Sequence, residues 1–202
     1  MRPPVAALSP EEKKRLFEDI YYLNMQELRD FCDAHAIPYM IRMETADGRV
    51  VQTRDADRKG ILIDRILHYL ITGAIKPATI FRKVVATGAK LGRAPKESDQ
   101  VFYGQYKNRD PDTLALMKRL THGKFEFGAI AQEVLRACWS RGEAPTYREF
   151  AALWQKAAED HTGPNPEWAF LTDLARGTAG SDWKKVRNQR AAAVVSILKK
   201  LG

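Results

Sequence analysis

Helix-start signals punctuate this chain and limit it to a mainly α fold. Ser9-Pro10-Glu11-Glu12 offers an N-cap hydroxyl, Pro at the first helical position and acids in the first turn. Asn24 with Glu27, and Thr146 with Glu149, have capping-box spacing. Asp110-Pro111 is another cap followed by Pro. These signals predict a helix from Ser9 to about Tyr22 and a second from Asn24 to the stop at Ile37-Pro38. A third opens at Arg58 or Lys59, carries Ile61, Leu62, Ile63, Ile66, Leu67 and Leu70, and ends near Gly73. Pro77 is expected to start a fourth, through about Leu91, with Lys83 and Lys90 on one side. Further helices are expected near 111–121, 126–141, 147–160, 166–176 and 182–201.

One segment departs from helical spacing. Tyr39 to Asp55 has β-branched and apolar residues on both sides of Ala46-Asp47-Gly48, a hairpin signal. The preferred register puts Gly48 at positive φ and Met43 opposite Val51. Gly92 to Asn108 is rich in Pro, Gly and polar residues and reads as a linker or irregular crossing. Phe102, Tyr103 and Tyr106 imply that part of it packs down. Trp139, Phe150, Trp154, Trp168, Phe170 and Trp183 fall on helical faces, as core residues do. A base-stacking platform usually sits on an exposed sheet or groove.

The third helix begins with two cations, Arg58 and Lys59, at the positive end of its macrodipole. They cost stability there unless an anion lies in front of them. The chain as a whole has a net charge of +8 in 202 residues. Residues 76–96 and 183–202 each hold six cations and no acid, so the remainder of the chain carries −4. Clustered charge is what a polyanion site requires, although solvated helix faces produce the same runs. Cys32 and Cys138 read as buried thiols in a reducing compartment. No secretory h-region and no apolar run of membrane-spanning length appears. A cytoplasmic protein is expected, nucleoid-associated if bacterial, with no membrane partner.

Two stretches together resemble the SAP motif, a helix–turn–helix module of chromatin, repair and RNA-processing proteins. Leu23-Asn24-Met25-Gln26-Glu27-Leu28-Arg29-Asp30-Phe31-Cys32, ending at Ile37-Pro38, is similar to its first helix. Arg58-Lys59-Gly60-Ile61-Leu62-Ile63-Asp64-Arg65-Ile66-Leu67 is similar to its second, with the basic start and the Leu-Ile-Asp-Arg-Ile run. Asp57 stands where the family has Gly, and the Tyr39–Asp55 hairpin is inserted. The insertion either extends a nucleic-acid surface through Arg42, Arg49 and Arg54 or blocks it. The resemblance implies DNA binding at the start of the second helix. The C-terminal half is similar to uncharacterised bacterial regions that follow SAP-like segments, in patterns such as HGKFEFG and PTYREFAALW. That similarity implies no mechanism.

The expected organisation is an N-terminal helix over 1–20 and a SAP-like domain over 21–73 with its insertion at 39–55. A basic helix and linker follow over 74–108, and a helical domain over 109–202. His35, His68, His122 and His161 lack metal-ligand spacing. GTAGSDWKK fails the phosphate-loop spacing, and no nucleophile elbow appears. The sequence therefore implies a non-enzymatic protein without cofactor or metal. It binds nucleic acid, DNA favoured over RNA, through Arg58, Lys59, Gly60, Arg54, Arg42, Lys83, Lys90, Lys184 and Lys185. The alternative is a protein-interaction adaptor that binds an acidic partner. Arg65 is expected at the rim or against the first helix.

Overall fold

The computed structural model describes residues 3–107, 109–160 and 180–201, and the side chains of 180–184 lie outside it. The elements are α1 (Pro10–Asp19), α2 (Met25–Ala34), β1 (Met40–Glu44), β2 (Val50–Ala56), α3 (Lys59–Thr72) and β3 (Ile80–Phe81). They continue with α4 (Pro111–Leu120), α5 (Ala129–Ser140), α6 (Tyr147–Asp160) and α7 (Gly180–Lys199). The fold is mainly α with one small sheet. Two compact units divide it. The first takes 3–40, 56–78 and the described residues from 180 onward; the second takes 41–55 and 79–160.

In the first unit, the predicted caps form as hydrogen bonds. Ser9 Oγ accepts from Glu12 N–H and Glu12 returns a bond to Ser9 N–H; Asn24 and Glu27 do the same. Leu16 of α1, Leu28, Phe31 and Cys32 of α2, and Leu62, Ile63, Ile66 and Leu70 of α3 are buried in one core. Leu67 is half-buried at its margin. Gly73 ends α3 in the left-handed conformation at φ +75. α7 closes the same core with Ala191, Val194, Ile197 and Leu198, and it packs on α1.

In the second unit, Thr45 N–H donates to Arg49 O across the Ala46-Asp47-Gly48 loop, with Gly48 at φ +82. That bond is in step with Met43 opposite Val51. The sheet order is β2-β1-β3, and β3 runs parallel to β1 with Arg42 opposite Ile80 and Met43 opposite Phe81. Ile41 and Phe81 point into a core shared with Leu116, Met117, Phe125, Leu135, Trp139, Phe150 and Trp154. The expected aromatic core thus holds for Trp139, Phe150 and Trp154. Trp168, Phe170, the helix near 166–176, His161 and the Trp183 side chain lie outside the described residues.

Several expectations are corrected. No helix spans 77–91. Ile80 and Phe81 extend and pair with β1, Lys83–Val85 make one 3-10 turn, and the rest is irregular. Thr79 O also accepts from Arg42 N–H, which extends the pairing, and Gly88 would weaken a helix here by roughly 0.5–1 kcal/mol. Val84, within the predicted helix, is 64% exposed. The described residues of 109–202 divide between the two units, 109–160 in the second and 180–201 in the first, where α7 packs on α1 and on the 3-10 turn Ile20–Tyr22. On α7, Val194 and Ile197 are buried, but Val186 is 43% exposed. Arg190, on the same helix, reaches out to Asp19 at 3.1 Å.

The crossing at 92–107 is anchored. Val101 N–H donates to Pro145 O, and Tyr147 N–H to Asp99 O. Asp99 accepts both Arg93 guanidinium nitrogens, at 2.7 and 2.8 Å, and the Lys96 N–H. The Arg93 bonds lead in holding its pKa down at about 2. Both cysteines are free and buried. Burial pushes the Cys32 thiol up to about 12 and raises that of Cys138, so neither is a thiolate at neutral pH.

Two outcomes follow. Ile66→Ala, at a fully buried site, lowers stability by about 2–5 kcal/mol in urea denaturation; an unchanged midpoint contradicts the core assignment. Asp99 titrates below its unfolded value of about 3.9, so its contribution is present above that pH and is lost as pH falls toward about 2. Asp99→Asn therefore destabilises at pH 7, and the gap to wild type closes near pH 2. A gap of constant size across that range contradicts the pairing.

Candidate nucleic-acid interface

The start of α3 is set apart by its charge. Side-chain oxygens cap α1, α2 and α4, and Thr146 with Glu149 caps the start of α6. At α3 the N-cap side chain, Arg58, makes no capping bond and the first turn holds no acid, as is also true of α5 with its N-cap Gly128; α3 differs from α5 in placing two cations, Arg58 and Lys59, at that end. Gly60, at the second helical position, adds no side chain over the backbone. Arg58, Lys59 and Gly60 are all half-buried.

Immediately before this turn lies a buried charge. Asp57 and Arg65 are each 5% exposed at the side chain and pair at 2.7 Å. Arg65 Nη1 also donates to Pro38 O at 2.6 Å, and Asp57 N–H donates to Tyr39 O at 2.8 Å. Arg65 is therefore not a rim residue. One guanidinium on α3 holds the chain where it leaves for the hairpin and where it returns. Asp57 follows from the same need, since a Gly there would leave the guanidinium buried without its anion.

Lys59 has a role that its position in sequence does not reveal. Its ammonium donates to Tyr21 O at the carbonyl end of the 3-10 turn Ile20–Tyr22, which continues α1. Arg187 Nε donates to Tyr22 O at 3.0 Å, and its Nη2 pairs with Glu27. The Arg190 guanidinium lies 4.8 Å from the Tyr22 ring centre. Three cations thus converge on the negative end of α1, where they are favourable. The mismatch at the head of α3 is partly answered by the tail of α1.

The remaining candidates divide between the units. Arg58, Lys59, Gly60 and the exposed Lys185 belong to the first, while Arg42, Arg54, Lys83 and Lys90, all exposed, belong to the second. Lys184 lies on α7 with its side chain outside the described set. Lys83 and Lys90 share no helix; Lys83 heads the 3-10 turn, and its N–H donates to Glu44 at 3.3 Å. Of the twelve cations in the two basic runs, Lys76, Arg93, Arg187, Arg190 and Lys200 pair with Asp64, Asp99, Glu27, Asp19 and Glu12. Much of the charge segregated along the sequence is matched in space.

The second unit also holds two cavities on either side of Tyr103 and Gly104. One, about 670 Å³, has mostly small or apolar walls, including Met43, Ala46, Ala86 and Gly88. The other, about 440 Å³, is lined by Asp55, Gln132, Arg136 and Trp139 among others. The Tyr103 hydroxyl donates to Asp55 Oδ2 at 2.8 Å. Burial, then that bond, holds the phenol above its ordinary pKa, so it remains a donor at neutral pH. Gly104, at φ +88, is required here, because a Cβ would lie 2.6 Å from Thr87 O. Sequence reasoning missed this second cavity. The available signal was Gln132 and Arg136, polar residues four apart on an otherwise apolar face of α5.

No helix of the described residues is long and apolar enough to cross a membrane. Among them no group of His, Cys, Asp or Glu could hold a metal ion. No family model, curated protein or solved structure matches the chain.

Lys59→Ala removes a charge-assisted bond to a half-buried carbonyl and lowers stability by about 1–3 kcal/mol in thermal or urea unfolding. A variant as stable as wild type, as expected if Lys59 did nothing but oppose the α3 dipole, contradicts the capping role.

Proposed function

We propose that the chain is a non-enzymatic nucleic-acid-binding protein that holds duplex DNA mainly by its phosphates. The observation that carries this reading is the head of α3: cationic, without acid and without a side-chain cap. The N–H groups of a helix start point at an anion and the dipole favours it. A phosphate there takes the place that Ser9, Asn24 and Asp110 fill at other helices. The resemblance of 23–38 and 58–67 to the SAP motif supports the same site.

Within that site Arg58 makes the charge-assisted contact, Gly60 leaves the backbone open to approach, and Lys59 holds the head of α3 to the end of α1. Lys185, Arg42, Arg54, Lys83 and Lys90 add attraction at exposed positions. Such contacts favour no sequence, because phosphates carry no base information.

The test is a salt series on labelled duplex DNA. Wild type loses affinity steeply with salt, any duplex competes, and Arg58→Ala flattens the log–log slope by about 0.9 while weakening all sequences alike. A wild-type slope in Arg58→Ala removes the α3 site from the reading. Binding that no duplex competes assigns the basic surface to an acidic protein partner instead.

A further inference from the structure

We propose that the outer face of the β1–β2 hairpin enters the major groove of duplex DNA and meets base edges with Arg42, Gln52 and Arg54. The inference deepens the nucleic-acid reading by giving the protein a sequence preference, and it rests on that reading for the class of partner alone.

Alternation along the strands puts the three on one side. Ile41 and Phe81 point into the core, so Arg42, in register with Ile80, faces away from it. The Thr45–Arg49 bond, followed toward the root along both strands, sets Gln52 opposite Arg42. Asp55 turns inward to the Tyr103 hydroxyl, so Arg54 before it points outward with Gln52. Arg42, Gln52 and Arg54 are exposed, as are Val50 and Ile80 on the same side. None of the three polar side chains has a partner among the described residues. Arg49 at the tip is engaged by Asp47, and Glu44 is turned to the Lys83 N–H.

This surface suits duplex DNA better than other nucleic acids. No outward position of β1, β2 or β3 is aromatic, so the face has nothing on which unpaired bases stack. Paired RNA keeps its major groove too deep and narrow for side chains. The major groove of B-DNA, roughly 12 Å wide, admits a two-stranded ribbon whose strands lie about 4.8 Å apart. β3 pairs only with Arg42 and Met43, so beyond them the hairpin is such a ribbon. Arg54 stands two residues from Gln52, roughly 6.6 Å, or about two base-pair steps. The chemistry is complementary as well. Two guanidinium groups suit a groove walled by phosphates, and each offers a fork that matches O6 and N7 of guanine. The Gln52 amide matches N6 and N7 of adenine, and Val50 supplies apolar surface for a thymine methyl.

The test uses the full chain and a pool of labelled DNA duplexes with a randomised centre, selected by binding and sequenced. Wild type enriches a short site containing guanine and adenine, and changing one of the base pairs it reads weakens binding about 5- to 150-fold. Gln52→Ala removes the preference at one position and leaves the salt slope unchanged, since no charge is lost. Arg42→Lys and Arg54→Lys keep the charge and the slope but lose the fork, and each removes the preference for one guanine. The three exposed sites are changed singly, and a retained slope shows that a variant is folded. A duplex pool bound without enrichment overturns the hairpin reading and leaves phosphate binding standing. Enrichment that survives all three changes overturns it too and puts the selection elsewhere on the protein. A single-stranded form of the pool bound more tightly than the duplex overturns the groove. No binding of any duplex overturns both readings, and capture by polyglutamate in that case assigns the face to an acidic protein.

Discussion

The architecture of the first unit depends on one buried ion pair. Arg65 and Asp57 lie out of water, where a lone charge costs several kcal/mol and a paired one is held by geometry. The same guanidinium takes Pro38 O, so a single side chain of α3 fixes both ends of a strand excursion of some fifteen residues. A hairpin can be inserted between α2 and α3 without separating them because its root is closed this way. The pair also sets where α3 begins, since Asp57 must point inward and the next two residues are then presented at the helix head.

Cations in this protein do two jobs that sequence alone does not separate. Lys59 and Arg187 close carbonyls at the end of α1, and Arg190 packs over Tyr22 while reaching Asp19. These contacts replace the C-cap glycine that α1 lacks. The acids that answer the basic C-terminal run sit in α1 and α2, far away in sequence, which is why that run looks unbalanced. A surface built from what remains is smaller than the net charge suggests, and it is spread over both units.

Local signals were the most legible. Ser9, Asn24, Asp110 and Thr146 mark helix starts that fall within a residue of those observed, because a cap is decided by neighbours three residues apart. The hairpin loop was readable for the same reason. What failed was non-local. Ile80 and Phe81 were assigned to a helix on their spacing, but the pairing of β3 with β1 across about forty residues overrode it. The buried place of Arg65 needed Asp57 and Pro38 together, and the cavity beside Tyr103 needed β2, the 101–104 segment and α5. No window along the chain contains those groups.

The dispersed make-up of the first unit bears on how the chain can be born. α1 and α7 meet, and Lys200 pairs with Glu12 across a separation of 188 residues. At translation rates of about 5–20 residues per second, roughly 10–40 s pass between the appearance of those partners. During that interval α1, α2 and α3 have emerged with the side of the core that α7 covers still open to water. The second unit draws on no described residue after 160 and can close in the meantime. Synthesis therefore runs from the inside of the sequence outward: the interrupting segment settles first, and the helices that flank it wait for their last member.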